Sequence, residues 1–226
     1  MLFPSASLRA ETIDGLLVIL DLRNDSYSVL DDVGTAFWKA LTRPMAQADR
    51  VDQLSRAFSA PCAAIVSDLD AFTLDCVARG WLARLPPPPS APPRRIRRAA
   101  RPTVLNAGRA LLEAVASRRV AKLEKIYAFY ARIGVAPSRI SAETTRDHAL
   151  KAFLAAENFI PLPGGLAECL ARSLALFAFL RRCGVTCHHL IGVRRTPFEA
   201  HAWVEIDGEP VLEKFDQHHL EVLAKL

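Results

Sequence analysis

The chain is short of the features that mark membrane and secreted proteins. No apolar run reaches the ~18–20 residues that a membrane-spanning helix needs, and residues 13–20 are too few and include Asp14 and Gly15. The first residues lack a charged stretch followed by an apolar one, so we expect no signal peptide. The five cysteines are odd in number and irregularly spaced, which argues against a disulfide framework. We therefore expect a cytoplasmic protein with no membrane partner.

Signals for nucleotides and nucleic acids are also weak. The chain has no glycine-rich phosphate-binding motif, so we expect no nucleotide site and no cofactor. The net charge of +5 is concentrated in five arginines within residues 94–101. Such a run attracts nucleic acid or anionic lipid, but this one lacks interleaved aromatic residues and follows a proline tract. We interpret it as the solvated end of a linker and expect no nucleic-acid partner.

A proline-rich stretch divides the chain. Residues 86–93 have the sequence P-P-P-P-S-A-P-P, which favours a semi-rigid polyproline II linker. The 226 residues are enough for two small domains, and 51% of them are hydrophobic. The sequence therefore predicts an N-terminal domain over 1–85, a Pro/Arg-rich linker over 86–102 and a C-terminal domain over 103–226.

The N-terminal part predicts a hairpin followed by three helices. Residues 16–22 and 27–30 are extended, apolar runs on either side of the turn residues R-N-D-S. Capping and breaking residues predict helices that begin at Asp31 or Asp32, at Asp49 and at Pro61, with Gly80 after the last one. A short wing strand at residues 81–82 is an additional option.

This order of elements, with the run Y-S-V-L-D-D-V-G-T-A-F-W, resembles the small winged-helix peptide-recognition domains of ribosomal peptide biosynthesis. They are similar to the peptide chaperone of pyrroloquinoline quinone biosynthesis, and the resemblance covers residues 5–84. It implies that a leader peptide adds as a strand to the hairpin edge and packs on the third helix. The implied contacts are Tyr27, Val29, Leu30, Ile65, Leu69 and Phe72. Apolar residues at helical spacing are equally compatible with a domain core.

A winged helix also suggests DNA binding, which the third predicted helix argues against. That helix is acidic and apolar, with Asp68, Asp70 and Asp75 along it. Carboxylates suit neither phosphates nor base edges. We therefore favour a peptide over DNA as the ligand of this domain.

A cysteine and a histidine begin two elements of the C-terminal part. Residues 167–180 predict a helix with one apolar face, and Cys169 lies at its start, after the loop signal Pro-Gly-Gly. A helix N-terminus favours the thiolate form of a cysteine. His201 begins the run H-A-W-V-E-I-D-G, which alternates like a strand and ends in an Asp-Gly turn. This pair is the skeleton of a thiol hydrolase, although a lone cysteine on an apolar helix is more often simply buried.

The stretches CLARSLALFAFLRRCGV and HLIGVRRTPFEAHAWVEIDGEPV resemble the leader peptidases of lasso-peptide biosynthesis, over residues 161–215. The resemblance implies a transglutaminase-like, papain-related fold with a Cys-His-Asp triad, in which Cys169 is the nucleophile and His201 the base. It also implies two partners, a ribosomal precursor peptide and an ATP-dependent, asparagine-synthetase-like cyclase. Helices predicted over 104–119 and 120–132 and from Ser141, followed by antiparallel strands, make the expected fold class α+β.

The third member of the triad departs from the family. Glu213 stands where the family has Asp, twelve residues after His201. If the turn has three residues, Glu213 lies on the His201 face of the hairpin, whereas a turn of two or four residues brings Asp216 there instead. A third outcome is that neither acid reaches His201. Asp207 lies in the turn itself, about 20 Å from His201 along the strand, and is not expected to take part.

Two further features of the site are ambiguous. Trp203 shares the strand face of His201, where it either shields the charged pair or is an ordinary core residue. The glutamine that supplies an oxyanion donor in papain-like enzymes has no counterpart at the expected upstream position, so the N–H of Cys169 is the one donor proposed.

Three functions remain open at this point. The first is a cysteine peptidase that removes a leader peptide. The second is an inactive, protease-like adaptor that delivers a precursor peptide to another enzyme, and the third is acyl transfer or amidase chemistry on the same fold. A zinc site is not expected, because the spacing of Cys183, Cys187, His188 and His189, followed by His218 and His219, matches no standard zinc motif.

Overall fold

A computed structural model of the chain divides it into two compact units, residues 1–90 and 91–226. The division falls within the stretch that the sequence predicts as a linker. The residues that the structure describes are 2–24, 26–87, 99–119, 133, 143–160, 166–213, 216–217 and 219–226. Most of the proline tract, the helix predicted over 120–132, the cap at Ser141 and the Pro-Gly-Gly loop lie outside them.

The N-terminal unit contains an antiparallel three-stranded sheet formed, in this order, by β2 (Leu8–Ile13), β3 (Leu16–Asp21) and β4 (Ser26–Leu30). The predicted hairpin is present as β3 and β4. Strand β2 is absent from the sequence-based prediction, because polar residues interrupt its alternation. Its signal is the Asp14-Gly15 turn, where both residues have the positive φ that a tight hairpin needs.

Three helices follow, as the sequence predicts. They are α1 (Asp32–Thr42), α2 (Gln47–Phe58) and α3 (Cys62–Ala78). Of the two proposed caps for α1, Asp31 is the one used, and its carboxylate accepts a hydrogen bond of 2.8 Å from the Gly34 N–H. The predicted short strand is present as β5 (Leu82–Ala83), but it pairs with β1 (Phe3–Pro4) in a separate two-stranded sheet.

The core of this unit lies between the sheet and the helices. It is formed by large apolar side chains from each element, among them Leu17, Ile19, Phe37, Trp38, Leu41, Leu54, Ile65, Leu69 and Trp81. Two apolar residues of α3 lie outside this core, because Leu74 and Val77 are 70% and 42% exposed.

The C-terminal unit has its described helices first and an antiparallel sheet second, which confirms the α+β class. The helices are α4 (Val104–Arg119), α5 (Glu143–Glu157) and α6 (Leu166–Arg182). The strands are β6 (His188–Arg194), β7 (Glu199–Ile206), β8 (Glu209–Pro210) and β9 (Glu221–Lys225), in the order β8-β7-β6-β9.

Helix α6 is the central element of this unit. It packs against α4 on one side and β7 on the other, and every residue from Ser173 to Leu180 is buried. A helix that is apolar on all sides must be covered on all sides. The helix that carries Cys169 is thereby packed against the sheet.

No single helix among the described residues is long and apolar enough to cross a membrane. By length and composition alone, α2 and α3 meet that criterion as a pair, with a bend of 108° between them.

Candidate functional site

Cys169 lies in the first turn of α6. The helix begins at Leu166, one residue before the predicted start, so Cys169 is its fourth residue. The thiol is half-buried. In an α-helix the fourth N–H bonds to the carbonyl four residues earlier, here residue 165, which lies outside the described residues. The role of the Cys169 N–H as an oxyanion donor therefore stays a prediction.

His201 lies on β7, directly opposite Gly192 on β6. Its ring is nearly parallel to that of Trp203, with 6.3 Å between the ring centroids and 14° between the planes. Trp203 is also a core residue, packed with Leu190 and Leu220, whereas its shielding of the charged pair stays a prediction. A Cβ atom added at Gly192 would lie 2.8 Å from Cη2 and Cζ3 of Trp203. The glycine therefore makes room for the indole that lies over His201.

Glu213 contacts His201, although the turn does not have the three residues that would place both side chains on one face of the hairpin by strand alternation. The turn has two residues, because Ile206 pairs with Glu209. A two-residue turn is expected to direct Glu213 to the opposite face. The chain instead leaves the ladder after Val211, and Leu212 adopts a φ of 55°. This left-handed residue breaks the alternation, and Oε2 of Glu213 lies 3.2 Å from Nε2 of His201.

The His201–Glu213 pair is largely withdrawn from water. The two side chains are 14% and 13% exposed. Burial alone would lower the pKa of His201, but hydrogen bonds to Cys169 and Glu213, together with the charge of Glu213, raise it from 6.5 to about 9. The ring therefore carries a proton at neutral pH and lies between a thiol and a carboxylate.

The structure places the other two candidate acids, Asp207 and Asp216, at the protein surface. Asp207 is exposed in the turn, with its carboxylate 3.7 Å from a guanidinium nitrogen of Arg146. Asp216 is exposed as well.

The remaining cysteines differ from Cys169 in their surroundings. Burial raises the thiol pKa of Cys183 to about 11 and that of Cys187 to about 12, which keeps both in the unreactive thiol form. Cys76 is buried with a pKa of about 11, for the same reason and because of the neighbouring Asp75. Cys62 is exposed on α3, in the other unit. Within the C-terminal unit, Cys169 is thus the accessible thiol.

The described residues contain no group of three or more His, Cys, Asp or Glu side chains placed to hold a metal ion. Of the residues weighed for zinc, His188 is exposed, whereas His189 is fully buried and its pKa is lowered to about 3 by burial. His218 lies outside the described residues.

Two side chains that the sequence analysis does not single out support the first turn of α6. The Ser173 hydroxyl is 2.6 Å from the carbonyl oxygen of Cys169, and Nε2 of His189 is 2.8 Å from that hydroxyl. The role of Ser173 could have been predicted, because a serine four residues after Cys169 on a helix can donate to the Cys169 carbonyl. His189 has no comparable signal, because only the fold brings β6 to this turn.

The N-terminal unit has an open groove of about 430 Å³ between β4 and α3. It is lined by Val29, Leu30, Asp31, Val33, Gly34, Phe37, Asp68 and Phe72. Strand β4 pairs with β3 alone among the described strands, so its other edge is available for a further strand.

Three of the six residues predicted to contact a leader peptide line this groove, namely Val29, Leu30 and Phe72. Tyr27 is half-buried on β4. Ile65 and Leu69 are 3% and 5% exposed and belong to the core. The expectation that these two residues contact a peptide is therefore corrected: they pack beneath the groove. The centre of a helix's apolar stripe faces the core, and only its margin faces the groove. Val33 and Phe37 are lining residues that the helical spacing of α1 offered but the sequence analysis did not use.

Two protein-family models match the chain, one within each of its two units. The model of the transglutaminase-like superfamily matches residues 110–225, and that of coenzyme PQQ synthesis protein D (PqqD) matches residues 17–82. The microcin J25-processing protein McjB of Escherichia coli is 40% identical over 45 residues, which are 20% of this chain and 22% of that protein. The chain thus matches about a fifth of that relative's length.

Among solved structures, TbiB1 in complex with the TbiA(beta) leader peptide is 24% identical to this chain and aligns with a TM-score of 0.34. The alignment covers 36% of this chain and 95% of TbiB1.

Proposed function

Because this chain belongs to the transglutaminase-like superfamily, we propose that it is a cysteine peptidase that removes the leader peptide of a ribosomally made lasso-peptide precursor. The observation that carries this proposal is the position of His201, which interacts with Cys169 on one side and with Glu213 on the other. The local identity to a microcin-processing protein supports the same substrate class.

The proposed reaction is peptide-bond hydrolysis through an acyl-enzyme. The Cys169 thiolate attacks the scissile carbonyl carbon and forms a thioester after the C–N bond breaks. His201, protonated at neutral pH, gives its proton to the leaving amine. A water molecule then gives a proton back to His201 as it attacks the thioester, which releases the new carboxylate and regenerates the thiolate.

Glu213 has a positioning and electrostatic role in this scheme. Its carboxylate lies 3.2 Å from Nε2 of His201, so the other ring nitrogen is left for Cys169. A carboxylate held there stabilises the imidazolium and prevents the ring from rotating. The longer arm of Glu, compared with the Asp of the family, is accommodated by the departure of the chain from the sheet at Leu212.

Recognition is proposed to occur at the groove of the N-terminal unit, which matches the PqqD model. A leader segment in extended conformation would pair with the open edge of β4 through main-chain hydrogen bonds. Its alternate side chains would enter the apolar groove over Phe37 and Phe72. Such a mode gives affinity through the backbone and selectivity through the pockets.

The wider biological setting is part of the same proposal. The product of leader removal has a free amine at its new N-terminus, which an ATP-dependent, asparagine-synthetase-like cyclase would join to a side-chain carboxylate. None of the five cysteines, all of which lie in the described part of the chain, forms a disulfide, which fits a reducing cytoplasm.

An inactive adaptor is the competing function, and one observation favours it. The glutamine that supplies an oxyanion donor in papain-like enzymes has no counterpart at the expected upstream position of this chain. Without a donor for the oxyanion, the thiolate would attack slowly. The adaptor hypothesis predicts leader binding without cleavage.

The experiment that tests the proposal is a mass spectrum of the precursor peptide encoded beside this protein after incubation with the full chain. We expect two products whose masses sum to that of the precursor plus one water. The Cys169→Ala variant should leave the precursor intact while still binding it. Binding by the wild-type chain without any cleavage would replace the peptidase with the adaptor.

A further inference from the structure

An arginine on the nucleophile's helix links three elements around the candidate site. Arg172 lies three residues after Cys169 on α6, and its side chain is 21% exposed. Nε and Nη2 donate to the two carboxylate oxygens of Glu157, at 2.5 and 3.1 Å. The remaining terminal nitrogen, Nη1, donates to the carbonyl oxygen of Leu212 at 2.9 Å. One guanidinium therefore joins α5, α6 and the segment that follows β8.

The carbonyl that Arg172 holds belongs to the residue with the unusual backbone. Leu212 has a φ of 55°, which is uncommon for a residue with a branched side chain. Its peptide group leads directly into Glu213, so the orientation of that carbonyl sets the direction in which the Glu213 side chain leaves the backbone. Without this break in alternation, the two-residue turn at Asp207 and Gly208 would direct Glu213 away from His201.

A backbone conformation of this kind persists only where its surroundings enforce it. The described contacts include one side-chain donor to the Leu212 carbonyl, and it is Arg172. Glu157, itself 20% exposed, holds the guanidinium with a fork-to-fork geometry that fixes the plane of the donor group. The ion pair therefore directs Nη1 of Arg172 toward the Leu212 carbonyl, in addition to joining two helices.

We propose that Arg172 is the positioning residue of the triad: anchored by Glu157, it holds the Leu212 carbonyl and thereby keeps the Glu213 carboxylate against His201. Because Arg172 and Cys169 share one helical turn, the same guanidinium sets the distance between the nucleophile's helix and the carboxylate's segment. The peptidase reaction is the proposed function on which the cleavage part of this inference rests, but the geometry is testable without a substrate.

The substitution that isolates this role is Arg172→Lys. A lysine keeps the charge opposite Glu157, but its single ammonium lacks the planar fork that reaches both Glu157 and the Leu212 carbonyl. Arg172→Met removes both contacts. The matched control is Arg182→Met, on the same helix, where Arg182 bonds to Glu113 of α4 at 2.6 Å and lies outside the site. The control loses an interhelical ion pair without touching the segment of Glu213.

The first measurement is the rate at which iodoacetamide alkylates Cys169 at pH 6. It is made in the Cys62→Ser background, because Cys62 is an exposed thiol. Alkylation at this pH requires a thiolate stabilised by protonated His201. We expect Arg172→Met, Arg172→Lys and Glu213→Gln each to slow the alkylation of Cys169 severalfold, and Arg182→Met to leave its rate unchanged. Wild-type alkylation in Arg172→Lys, or an equal loss in Arg182→Met, would overturn the proposal.

The second measurement is a double-mutant cycle with Glu213→Gln, read as kcat on the precursor. We expect Arg172→Lys alone to lower kcat about 10-fold to 100-fold with KM unchanged, since small misplacements of catalytic groups have effects of this size. In the Glu213→Gln background the same change should cost less than threefold, because the group that it positions is already gone. Fully additive losses would assign Arg172 a structural role only.

The two measurements separate the failure of this inference from that of the proposed function. A wild-type chain that does not cleave the precursor would refute the peptidase, yet the alkylation rates would still report whether Arg172 acts through Glu213 and His201. Cleavage with alkylation rates that ignore Arg172 would refute the positioning role and leave the peptidase standing.

Discussion

The two units expose opposite kinds of groups. In the groove of the N-terminal unit, apolar side chains face solvent, and Val29 and Val33 are 42% and 43% exposed. In the C-terminal unit, the charged side chains of His201 and Glu213 are only 14% and 13% exposed. Exposed apolar surface gains most from a peptide that covers it, whereas a charge pair interacts more strongly when water is kept away. The difference supports the proposal that binding and chemistry are divided between the units.

This division has a kinetic consequence. Changes in the groove should alter the concentration at which the precursor saturates the protein, and changes at the site should alter the rate of the saturated complex. The variants below test this difference, and they are ordered by the size of the expected effect.

The largest effect is expected from Cys169→Ala, which removes the proposed nucleophile. Cleavage should fall by about 10⁴-fold or more, while the affinity for the leader peptide stays unchanged because the groove is intact. Cleavage is followed by mass spectrometry and affinity by titration with a labelled leader peptide. The matched control is Cys183→Ala, which removes a buried thiol of the same unit. It should cost stability, about 1–2 kcal/mol, and leave cleavage near wild type; equal losses in both variants would contradict the assignment.

Glu213→Gln should slow cleavage by about 10²-fold, less than the ~10⁴-fold seen when a triad carboxylate is replaced in a serine protease. The pH profile should change as well. Since Glu213 helps to raise the pKa of His201 to about 9, wild-type activity should decline as the pH rises through about 9, and this decline should move to lower pH in the variant. Glu213→Asp should retain appreciable activity, and Asp207→Asn should behave like wild type. A profile unchanged by Glu213→Gln would remove the carboxylate from the mechanism.

The same pair should make stability depend on pH. The folded-state pKa of His201, about 9, is above the unfolded value of 6.5. The resulting stabilisation is fully present below pH 6.5 and is lost as the pH rises to 9. Denaturant unfolding of the wild type and of Glu213→Gln at pH 6 and 9.5 should show a difference between the two proteins that shrinks at the higher pH. A difference that is constant with pH would contradict the raised pKa.

The contrast between the units also explains what the sequence could predict. Cys169 and His201 are recognisable because each lies near the start of an element whose periodicity is local. Glu213 is recognisable by its position twelve residues after His201 in the sequence. The backbone conformation that brings it to His201 is not recognisable, because a leucine at position 212 does not indicate a positive φ. Arg172 carries no local signal either, since its two partners lie 15 and 40 residues away.

In the N-terminal unit, sequence periodicity identifies an apolar helix face but not which part of that face remains open. Ile65, Leu69 and Phe72 recur on α3 at one helical spacing and share one apolar face. The first two are nevertheless in the core, whereas Phe72 lines the groove. The distinction depends on where β4 and α1 approach the helix, which is a tertiary property. The hairpin and three helices, which depend on turns, caps and breakers, were predictable.

A smaller effect is expected from Gly192→Ala. The added methyl group would approach the Trp203 ring to 2.8 Å, so the indole must move and the ring of His201 next to it loses its support. We expect kcat to fall about 10-fold. The control is Gly208→Ala, where φ is 87° and no atom lies within 4 Å of the added methyl group. It introduces backbone strain of about 1–2 kcal/mol without reaching the site, so kcat should stay at the wild-type value; a similar loss in both variants would mean that the effect is one of stability.

The smallest effect is expected from Val33→Asp in the groove. A charge there disfavours the apolar side chains of a leader peptide, and we expect KM to rise about 10-fold, or ~1.4 kcal/mol of binding free energy. An acidic residue in the first turn of α1 is compatible with the helix, so folding should be preserved. The matched control is Leu74→Asp, because Leu74 is 70% exposed on α3 and does not line the groove. A rise in KM in the control alone would place the leader peptide on the other face of α3.

The most direct test of the division between binding and chemistry is a steady-state comparison of four proteins on one precursor: the wild type, Val33→Asp, Glu213→Gln and the double variant. We predict that Val33→Asp raises KM with kcat unchanged, that Glu213→Gln lowers kcat with KM unchanged, and that the double variant combines both changes multiplicatively. A drop in kcat caused by Val33→Asp, of a size similar to that caused by Glu213→Gln, would contradict the division between binding and chemistry. It would show that the groove takes part in the chemical step.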